Sequence, residues 1–307
     1  MTPAPILLDT DPGVDDCLAI LLAKAAGVPI VGVTTVFGNA TVAQTTTNAL
    51  TILEVLECDA PVFRGAGTPL RTKSRFAESH GDNGLGGFSL PSLCKRAREE
   101  TAQDAIRRIA DGARLLALGP TTNLALAEEA TPGALRKLRP IIMGGVFGER
   151  GNITPYAEFN VYNDPDALQA TLNAGAMPVL IPANVCRDVT FSAADIADLG
   201  SGTFGAAIRR ITDVYIRYYT TDIAYGGFTG GVMYDVLTVA YLLRPDLFQE
   251  QTVCVAVDCS DGERRGETTI GEQEPPNCRL VTDVDATAVK TLFLRTVTAW
   301  SAGHAAA

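Results

Sequence analysis

Residues 6–16 read Ile-Leu-Leu-Asp-Thr-Asp-Pro-Gly-Val-Asp-Asp, an apolar segment followed by a turn that is rich in aspartate. Its first three residues, Ile6 to Leu8, are apolar and are typical of a short buried β-strand. The chain then turns at Pro12-Gly13, and the apolar run Cys17–Ala26 predicts a helix that ends at Gly27. A short strand that leads directly into a helix is the building unit of sheets covered by helices.

The same alternation of strand-like and helical segments continues along the chain. Further strands are predicted at Ile30–Val36, Pro61–Phe63, Leu115–Leu118, Ile141–Met143 and Met177–Ile181, and further helices at Val42–Leu56, Ala167–Ala174 and Ile208–Thr221. This order predicts an α/β fold in which a mostly parallel central sheet carries helices on both faces, with a Rossmann-related core. Ligands bind such sheets at the carboxyl ends of the strands, so the turns after each strand are the places to search for a site.

The remaining segments give fewer signals. Residues 71–100 are polar and Gly-rich without a clear period, and we expect a surface excursion there. Short strands at Val253–Val257 and Arg279–Val281 precede a helix whose inward face carries Val289, Leu292, Phe293, Val297 and Trp300. Because no linker and no internal repeat interrupts the chain, residues 1–307 are predicted to form a single domain.

Composition excludes several classes of protein. The 307 residues are 47% hydrophobic and 20% charged, which supplies a packed core and argues against disorder. The net charge of −10 repels nucleic-acid phosphates and anionic lipids, so we expect neither as a partner. The cysteines number seven and include no CxxC pair, which indicates reduced thiols. With no secretory leader and no apolar run of about eighteen residues, we expect a cytoplasmic protein without a membrane span.

The turn after the first strand concentrates negative charge. Four carboxylates occur within eight residues, at Asp9, Asp11, Asp15 and Asp16. Left alone they would repel one another, and each would be costly to ionise in a buried site. An ordinary strand-to-helix turn with an Asp N-cap explains one of these acids, or two, but not four. A divalent cation explains all of them, and carboxylate oxygens are the ligands that Ca²⁺ and Mg²⁺ prefer.

A metal-dependent phosphatase of the haloacid dehalogenase type is an alternative interpretation of the same turn. Such enzymes place two aspartates, spaced like Asp9 and Asp11, after their first strand. They need Thr or Val where this chain has Pro12, and they also need a paired lysine, for which the chain offers few candidates. The sequence therefore disfavours this alternative, and an assay of phosphate release would separate it from the others.

Polar residues also follow the later strands. They occur at Gly38-Asn39, at Gly119–Asn123, at Asn152 and Glu158–Asn160, and at Tyr234-Asp235. A single asparagine in such a turn is more often a cap or turn residue than a ligand group. Several of them converging on one edge of a sheet predict a binding site there.

These stretches resemble a known family. Asp9–Asp16 is similar to the DxDPGxDD signature of the inosine–uridine-preferring nucleoside hydrolases. Further stretches match the family in order, at Phe37-Gly38-Asn39, His80–Gly86, Leu118–Asn123, Gly151-Asn152, Ala157–Asn160 and Asp235. The resemblance extends from residue 6 to about residue 245, so it implies a nucleoside-hydrolase-like fold for most of the chain.

The resemblance also implies a chemistry and a set of site residues. Members of the family use Ca²⁺ to hydrolyse the N-glycosidic bond of ribonucleosides, giving ribose and a free base. The implied metal ligands are Asp11, Asp16, the carbonyl of Thr122, and Asp235, and Asp11 is also the implied general base. The implied ribose contacts are Asp15, Asn39, Asn152, Glu158 and Asn160. Relatives are commonly dimers or tetramers, which implies a homodimer or homotetramer here.

The chain departs from the family at the residue that would protonate the leaving base. Many members have His directly before the late Asp, whereas this chain has Tyr234, a weaker acid with a reference pKa of about 10. His80 matches a family position near the base and becomes the candidate that contacts it. Tyr225 and Phe228 lie in a Gly-rich loop that could cover the base, although such aromatics often only pack.

Tyr234 in place of the family's His changes what we expect of the substrate and of the activity. We predict uridine or cytidine over inosine, because a pyrimidine leaving group is activated differently from a purine. The alternative is a catalytically weak relative that binds nucleosides or ribose, and release of free ribose would separate it from an enzyme.

Overall fold

The computed structural model describes residues 3–71, 74–90, 92–200, 202–221, 227–271 and 275–304. The strands are β1 Ile6–Thr10, β2 Ile30–Thr35, β3 Val62–Arg64, β4 Arg114–Ala117, β5 Ile141–Met143, β6 Val179–Ile181, β7 Thr190–Phe191, β8 Gly231–Val232, β9 Phe248–Val257, β10 Thr268–Gly271 and β11 Cys278–Val284. The helices are α1 Val14–Ala25, α2 Val42–Val55, α3 Ala102–Ile109, α4 Thr122–Ala130, α5 Ala134–Leu138, α6 Phe159–Asn163, α7 Pro165–Asn173, α8 Ala183–Cys186, α9 Ala193–Ala197, α10 Gly202–Thr221, α11 Val236–Leu243 and α12 Ala286–His304.

A nine-stranded sheet has the order β10-β9-β11-β6-β5-β4-β1-β2-β3. From β11 to β3 all neighbours are parallel, while β9 and β10 add antiparallel pairs at one edge. Strand β1 lies inside the sheet, where Leu8 pairs with Val33 of β2 and with Leu116 of β4. The predicted mostly parallel sheet is confirmed, and its first strand is fully buried.

Alternate residues of β1 belong to different hydrophobic cores. Ile6 and Leu8 pack in a core that includes residues of α1, α2, α10, α11 and α12. Leu7 packs in a second core with residues of α3, α4, α5 and α7. Since neighbouring residues of a strand point to opposite faces, these two cores show that helices cover both faces of the sheet, as predicted.

The carboxyl ends of the parallel strands carry the turns that position the site. β1, β4 and β5 end at Thr10, Ala117 and Met143, next to one another in the sheet. A separate two-stranded ladder pairs β7 with β8 and delivers the chain to Tyr234 and Asp235 before α11 begins. The segment after β8 therefore reaches the same edge without joining the large sheet.

The surface excursion predicted for residues 71–100 is wrong in part. Leu85 is fully buried in the first core, and His80 is 6% exposed. The reason is that polar contacts, which have no periodic signature in the sequence, hold residues 80–88 against the turn after β1. All seven cysteines are unpaired, as predicted. Among the described residues, no helix is both long and apolar enough to cross a lipid bilayer.

Candidate active site

A cavity of about 320 Å³ opens at the carboxyl edge of the sheet. It collects most of the residues predicted for the site: Asp11, Asp15, Asn39, His80, Asn152, Glu158, Asn160, Tyr234 and Asp235. They come from turns that are far apart in the chain, and the parallel strands bring those turns together. The predicted convergence on one sheet edge is therefore present in the structure.

Three buried aspartates form the most acidic part of the site. Asp15, Asp16 and Asp235 each offer a carboxylate oxygen, and these oxygens lie within 4.8 Å of one another. Asp15 and Asp16 lie in the first turn of α1, while Asp235 is the residue before α11. Burial, followed by the charges of Asp15 and Asp16, raises the pKa of Asp235 well above its usual range. A divalent cation would remove this penalty, because it supplies the missing positive charge.

Asp11 lies beside this cluster and is fixed between two glycine turns. Its Oδ2 accepts a hydrogen bond of 2.7 Å from the backbone N–H of Asn39. A Cβ at Gly38 would lie 2.0 Å from Asp11 Oδ2, and one at Gly119 would lie 2.5 Å from Oδ1. Only glycine fits this close to the carboxylate on either side. Burial and then the Asp16 charge raise the pKa of Asp11 well above its usual range in the metal-free protein.

Asp16 is held in one orientation by neighbours of the same loop, residues 9–16, called the acidic loop below. Thr10 Oγ1 donates to its Oδ1, and the backbone N–H of Gly13 donates to its Oδ2 at 2.8 Å. Asn39 Nδ2 donates to the same Oδ2 at 3.3 Å and to the backbone carbonyl of Asp11 at 3.1 Å. Asn39 thus braces the acidic loop in addition to lining the cavity.

For Thr122, another implied metal ligand, the structure shows the contacts of the side chain. It is buried as the first residue of α4, and its Oγ1 donates to Asp164 Oδ2 at 2.6 Å. Its side chain is therefore engaged with Asp164, and only its carbonyl stays as the implied ligand. The group of three close carboxylates contains Asp15, which the resemblance assigns to the sugar, and lacks Asp11.

Glu158 and the two asparagines around it form a braced wall of the cavity. Glu158 caps α6, where its Oε1 accepts from Asn160 N at 2.9 Å and its Oε2 from Gly145 N at 3.1 Å. Asn160 Nδ2 donates to the carbonyl of Leu118 at 2.7 Å, and Asn152 Oδ1 accepts from Phe159 N at 2.7 Å. Burial raises the pKa of Glu158 to about 7. These bonds tie together the turns that follow β4 and β5.

The two candidates for the base side are both neutral at physiological pH. His80 Nδ1 accepts a hydrogen bond of 3.0 Å from the backbone N–H of Val14, which leaves its proton on Nε2. Burial lowers the pKa of His80 to about 3 and raises the pKa of Tyr234 to about 12. Both side chains can therefore donate a hydrogen bond, but neither is a strong acid.

Aromatic residues of α10 complete the cavity, and the sequence predicted only that this segment is helical. Tyr218 and Tyr219 line the cavity, and the Tyr219 hydroxyl lies 3.5 Å from that of Tyr234. The ring centroid of Tyr215 lies 4.9 Å from the ring centroid of His80 and 4.8 Å from that of Tyr219. The spacing of these tyrosines places them on one helix face, a signal that equally predicts an ordinary core.

The two residues predicted from the Gly-rich loop differ in outcome. The ring of Phe228 lies 5.8 Å from that of Tyr219, and Phe228 lines a neighbouring cavity together with Tyr234. Its contact with the main cavity is therefore made through these tyrosines. Tyr225 lies outside the described residues.

One rim of the cavity comes from residues 75–79, which the sequence placed on a surface excursion. The backbone N–H of Arg75 donates to Asn163 Oδ1 at 2.7 Å, and the Arg75 guanidinium lies 5.0 Å over the Tyr162 ring. Both contacts dock the rim onto α6. Phe76 also lines the cavity while it stays 53% exposed. No periodic pattern in the sequence marks these residues.

Known proteins match this chain over most of its length. The profile of the family described as inosine-uridine preferring nucleoside hydrolase matches residues 6–291. Uridine nucleosidase 1 of Arabidopsis thaliana is 35% identical over 262 residues, covering 82% of this chain and 78% of its own. The pyrimidine-specific ribonucleoside hydrolase RihB of Shigella flexneri is 31% identical over 296 residues, covering 93% of this chain and 94% of its own.

Solved structures give the same result. A plant nucleoside hydrolase, PpNRh1, superposes with a TM-score of 0.89 at 30% identity, covering 97% of this chain and 99% of its own. A purine-preferring ribonucleoside hydrolase from Gardnerella vaginalis also has a TM-score of 0.89, at 26% identity, with the same coverage of both chains. The fold is thus shared by relatives whose names carry different base preferences. This chain belongs to the inosine-uridine preferring nucleoside hydrolase family, and it is a ribonucleoside hydrolase that acts on N-glycosidic bonds.

Proposed function

We propose that this enzyme is Ca²⁺-dependent and prefers the pyrimidine nucleosides uridine and cytidine to inosine. The observation that carries the proposal is the group of three buried carboxylates, Asp15, Asp16 and Asp235, whose oxygens lie within 4.8 Å of one another, and of which Asp15 and Asp235 line the cavity. Such a group is unstable without a counter-charge, and its oxygen-only donors suit a hard cation.

The donors at this site fit Ca²⁺. Asp11, Asp16, Asp235 and the carbonyl of Thr122 are the groups that would hold the ion, and all four residues are buried. Several carboxylates with a backbone carbonyl match the oxygen-rich and irregular shell that Ca²⁺ accepts, whereas Mg²⁺ keeps more of its own water. When bound, the ion supplies charge neutralisation and lowers the pKa of water beside it.

The protein's own residues would then act on the water and the sugar. Asp11, held by Asn39 and flanked by glycine turns, takes the proton of the attacking water on the sugar face opposite the base. The ribosyl ring gains positive charge as its bond to the base lengthens. Asp15 and Glu158 line the cavity, and their carboxylates would stabilise this positive charge. They are already in place before the reaction, so the stabilisation needs no rearrangement of the protein.

Contacts with the ribose hydroxyls would make the enzyme prefer ribonucleosides to 2′-deoxyribonucleosides. Asp15, Asn39, Asn152, Glu158 and Asn160 would contact the sugar. A substrate without the 2′-hydroxyl leaves buried polar groups without their partner, and that penalty is large in a site built for hydrogen bonding. We therefore expect 2′-deoxyuridine to be a poor substrate compared with uridine.

The neutral state of His80 and Tyr234 supports a pyrimidine leaving group. A departing pyrimidine carries its negative charge partly on carbonyl oxygens, which hydrogen-bond donors stabilise without a full proton transfer. A purine is helped most by an acid that protonates its imidazole ring, and His80 with a pKa of about 3 cannot serve as that acid. The names of the uridine nucleosidase and of the pyrimidine-specific hydrolase agree with this preference.

A kinetic panel tests both parts of the proposal. Ribose release, measured as reducing sugar from uridine, cytidine and inosine, should show a higher kcat/KM for the two pyrimidine nucleosides. Stripping the metal should abolish release, and added Ca²⁺ should restore it, whereas Asp11→Ala should stay inactive. Inosine as the best substrate would overturn the base preference. Full activity after metal removal would overturn the Ca²⁺ dependence.

Three broader features belong to the same proposal. We propose one domain, which the single nine-stranded sheet supports, and a cytoplasmic location, which the unpaired thiols support. A homodimer or homotetramer rests on the family resemblance. Sedimentation of the purified protein would test it, and a monomer at micromolar concentration would contradict it.

A further inference from the structure

The side chain of Asn48 joins the acidic loop to a second loop, residues 80–88. Asn48 Nδ2 donates to the carbonyl of Pro12 at 2.9 Å and to the carbonyl of Asn83 at 2.8 Å. Pro12 lies in the middle of the acidic loop, and Asn83 lies in the second loop. Within the part of the chain that the structure describes, neither carbonyl accepts a backbone hydrogen bond. The Asn48 amide therefore supplies a hydrogen-bond donor to one carbonyl of each loop.

The orientation of the Asn48 amide is fixed from its own helix. Asn48 is 1% exposed on α2, and its Oδ1 accepts from Gln44 Nε2 at 2.9 Å. Residues four apart share one helix face, so Gln44 can reach the amide without distorting α2. With its oxygen engaged by Gln44, the amide presents both N–H groups to the loops.

A second contact holds the same two loops together. The backbone N–H of Val14, at the start of α1, donates to His80 Nδ1 at 3.0 Å. This N–H belongs to the first turn of a helix, where no intrahelical acceptor exists. A Cβ at Gly13 would lie 2.6 Å from His80 Nδ1, and one at Gly84 would lie 2.9 Å from Asn48 Nδ2. The two glycines allow the loops to approach this closely.

The second loop is also braced internally. Asn83 Oδ1 accepts from the backbone N–H groups of Leu85 at 3.0 Å and of Gly87 at 2.9 Å. Leu85 is fully buried in the core below. The loop therefore behaves as one unit, and a shift at Asn83 reaches His80 through a short and internally bonded segment.

We propose that Asn48 is a positioning residue that couples cation binding in the acidic loop to the placement of His80 on the base side. The inference rests on the proposed function, since it requires that the acidic loop holds Ca²⁺. Without the ion, repulsion among the aspartates acts on the loop, and Asn48 holds Pro12 in place against it. Because coupling between two sites is reciprocal, the ion should in turn stabilise residues 80–88.

The variant Asn48→Ala tests this coupling, with Thr47→Ala as its matched control. Thr47 is the neighbouring exposed residue of α2, and its hydroxyl donates to the carbonyl of Ala43 at 3.0 Å, within its own helix. Calorimetric Ca²⁺ titration of the metal-stripped proteins should show about tenfold weaker binding for Asn48→Ala. Thr47→Ala should match the wild type. Ca²⁺ should slow amide hydrogen exchange in residues 80–88 of the wild type and the control, but not of Asn48→Ala.

The outcomes separate this inference from the proposed function. A wild type that binds no Ca²⁺ would overturn both. A wild type that binds Ca²⁺, together with an Asn48→Ala protein of equal affinity and equal exchange protection, would overturn the inference alone, even if Asn48→Ala melts at a lower temperature. Should Asn48→Ala fail to fold, Gln44→Ala removes the bond that orients the amide while Asn48 itself stays in place. It should weaken binding by about threefold, and unchanged affinity there would overturn the inference.

Discussion

Gly119→Ala should disable the enzyme by moving one carboxylate. A Cβ at this position would lie 2.5 Å from Asp11 Oδ1 and 2.9 Å from its Cγ, whereas ordinary contacts begin at 3.4 Å. The carboxylate would have to move by about 0.9 Å, and Val36 Cγ1 would also lie only 3.0 Å from the new methyl group. Misplacement of a reacting group by about 1 Å costs roughly 100-fold in rate, or about 2.7 kcal/mol in the activation barrier.

The matched control is Gly144→Ala. Gly144 also follows a parallel strand at the same sheet edge, but a Cβ there would meet Val161 Cγ2 at 3.4 Å and Glu158 Oε2 at 3.6 Å, which are ordinary contacts. We expect kcat for the best nucleoside to fall about 100-fold in Gly119→Ala and to stay within about twofold in Gly144→Ala. Circular dichroism would confirm that both proteins fold. A Gly119→Ala enzyme as fast as the control would refute the placement of Asp11 as the base.

Glu158 and Tyr234 each give a separate prediction. Burial raises the pKa of Glu158 from 4.5 to about 7, so its neutral form favours the folded state below pH 4.5, and this stability is lost as the pH rises through 7. Urea titrations would give the free energy of unfolding of the metal-free wild type and of Glu158→Gln at each pH. Between pH 4.5 and pH 8 the wild type should lose about 3 kcal/mol more than the variant. If the free energies of the two proteins changed equally with pH, the burial argument would be contradicted. Tyr234→Phe should lower kcat by about tenfold or more with little change in KM, because it removes a donor to the leaving base. Tyr241→Phe is the control, since its hydroxyl bonds Glu250 away from the cavity, and equal kcat values for the two variants would remove Tyr234 from catalysis.

The sequence predicted the sheet and the acidic loop because both have strong local signatures. Alternating apolar strands and helices define a parallel sheet, and four acids beside β1 require a charge partner. Asn39 stands shortly after β2, and because parallel strands end at one edge of a sheet, its place at the site could be predicted from the strand pattern. The places of Glu158 and Asp235 came from the family resemblance, since neither residue directly follows a strand of the large sheet. These inferences needed no knowledge of side-chain contacts.

Other parts of the site have no such signature. The role of residues 80–88 depends on hydrogen bonds from Asn48 and Val14, which lie far away in the chain. Tyr219 lies on a helix face whose residue spacing predicts an ordinary hydrophobic core. The folded structure is needed to show that this face borders the cavity. The protonation states of His80 and Tyr234 follow from burial, which composition and spacing do not reveal.

We expect the buried aspartates to gather around one Ca²⁺ ion, with a ribosyl group as its neighbour. A crystal structure of the protein soaked with Ca²⁺ and ribose measures this directly. We expect a single ion held by Asp11, Asp16, Asp235 and the Thr122 carbonyl, with the sugar against Asp15 and Asn160. An ordered site in which these aspartates stay apart, with no ion between them at saturating Ca²⁺, would contradict it.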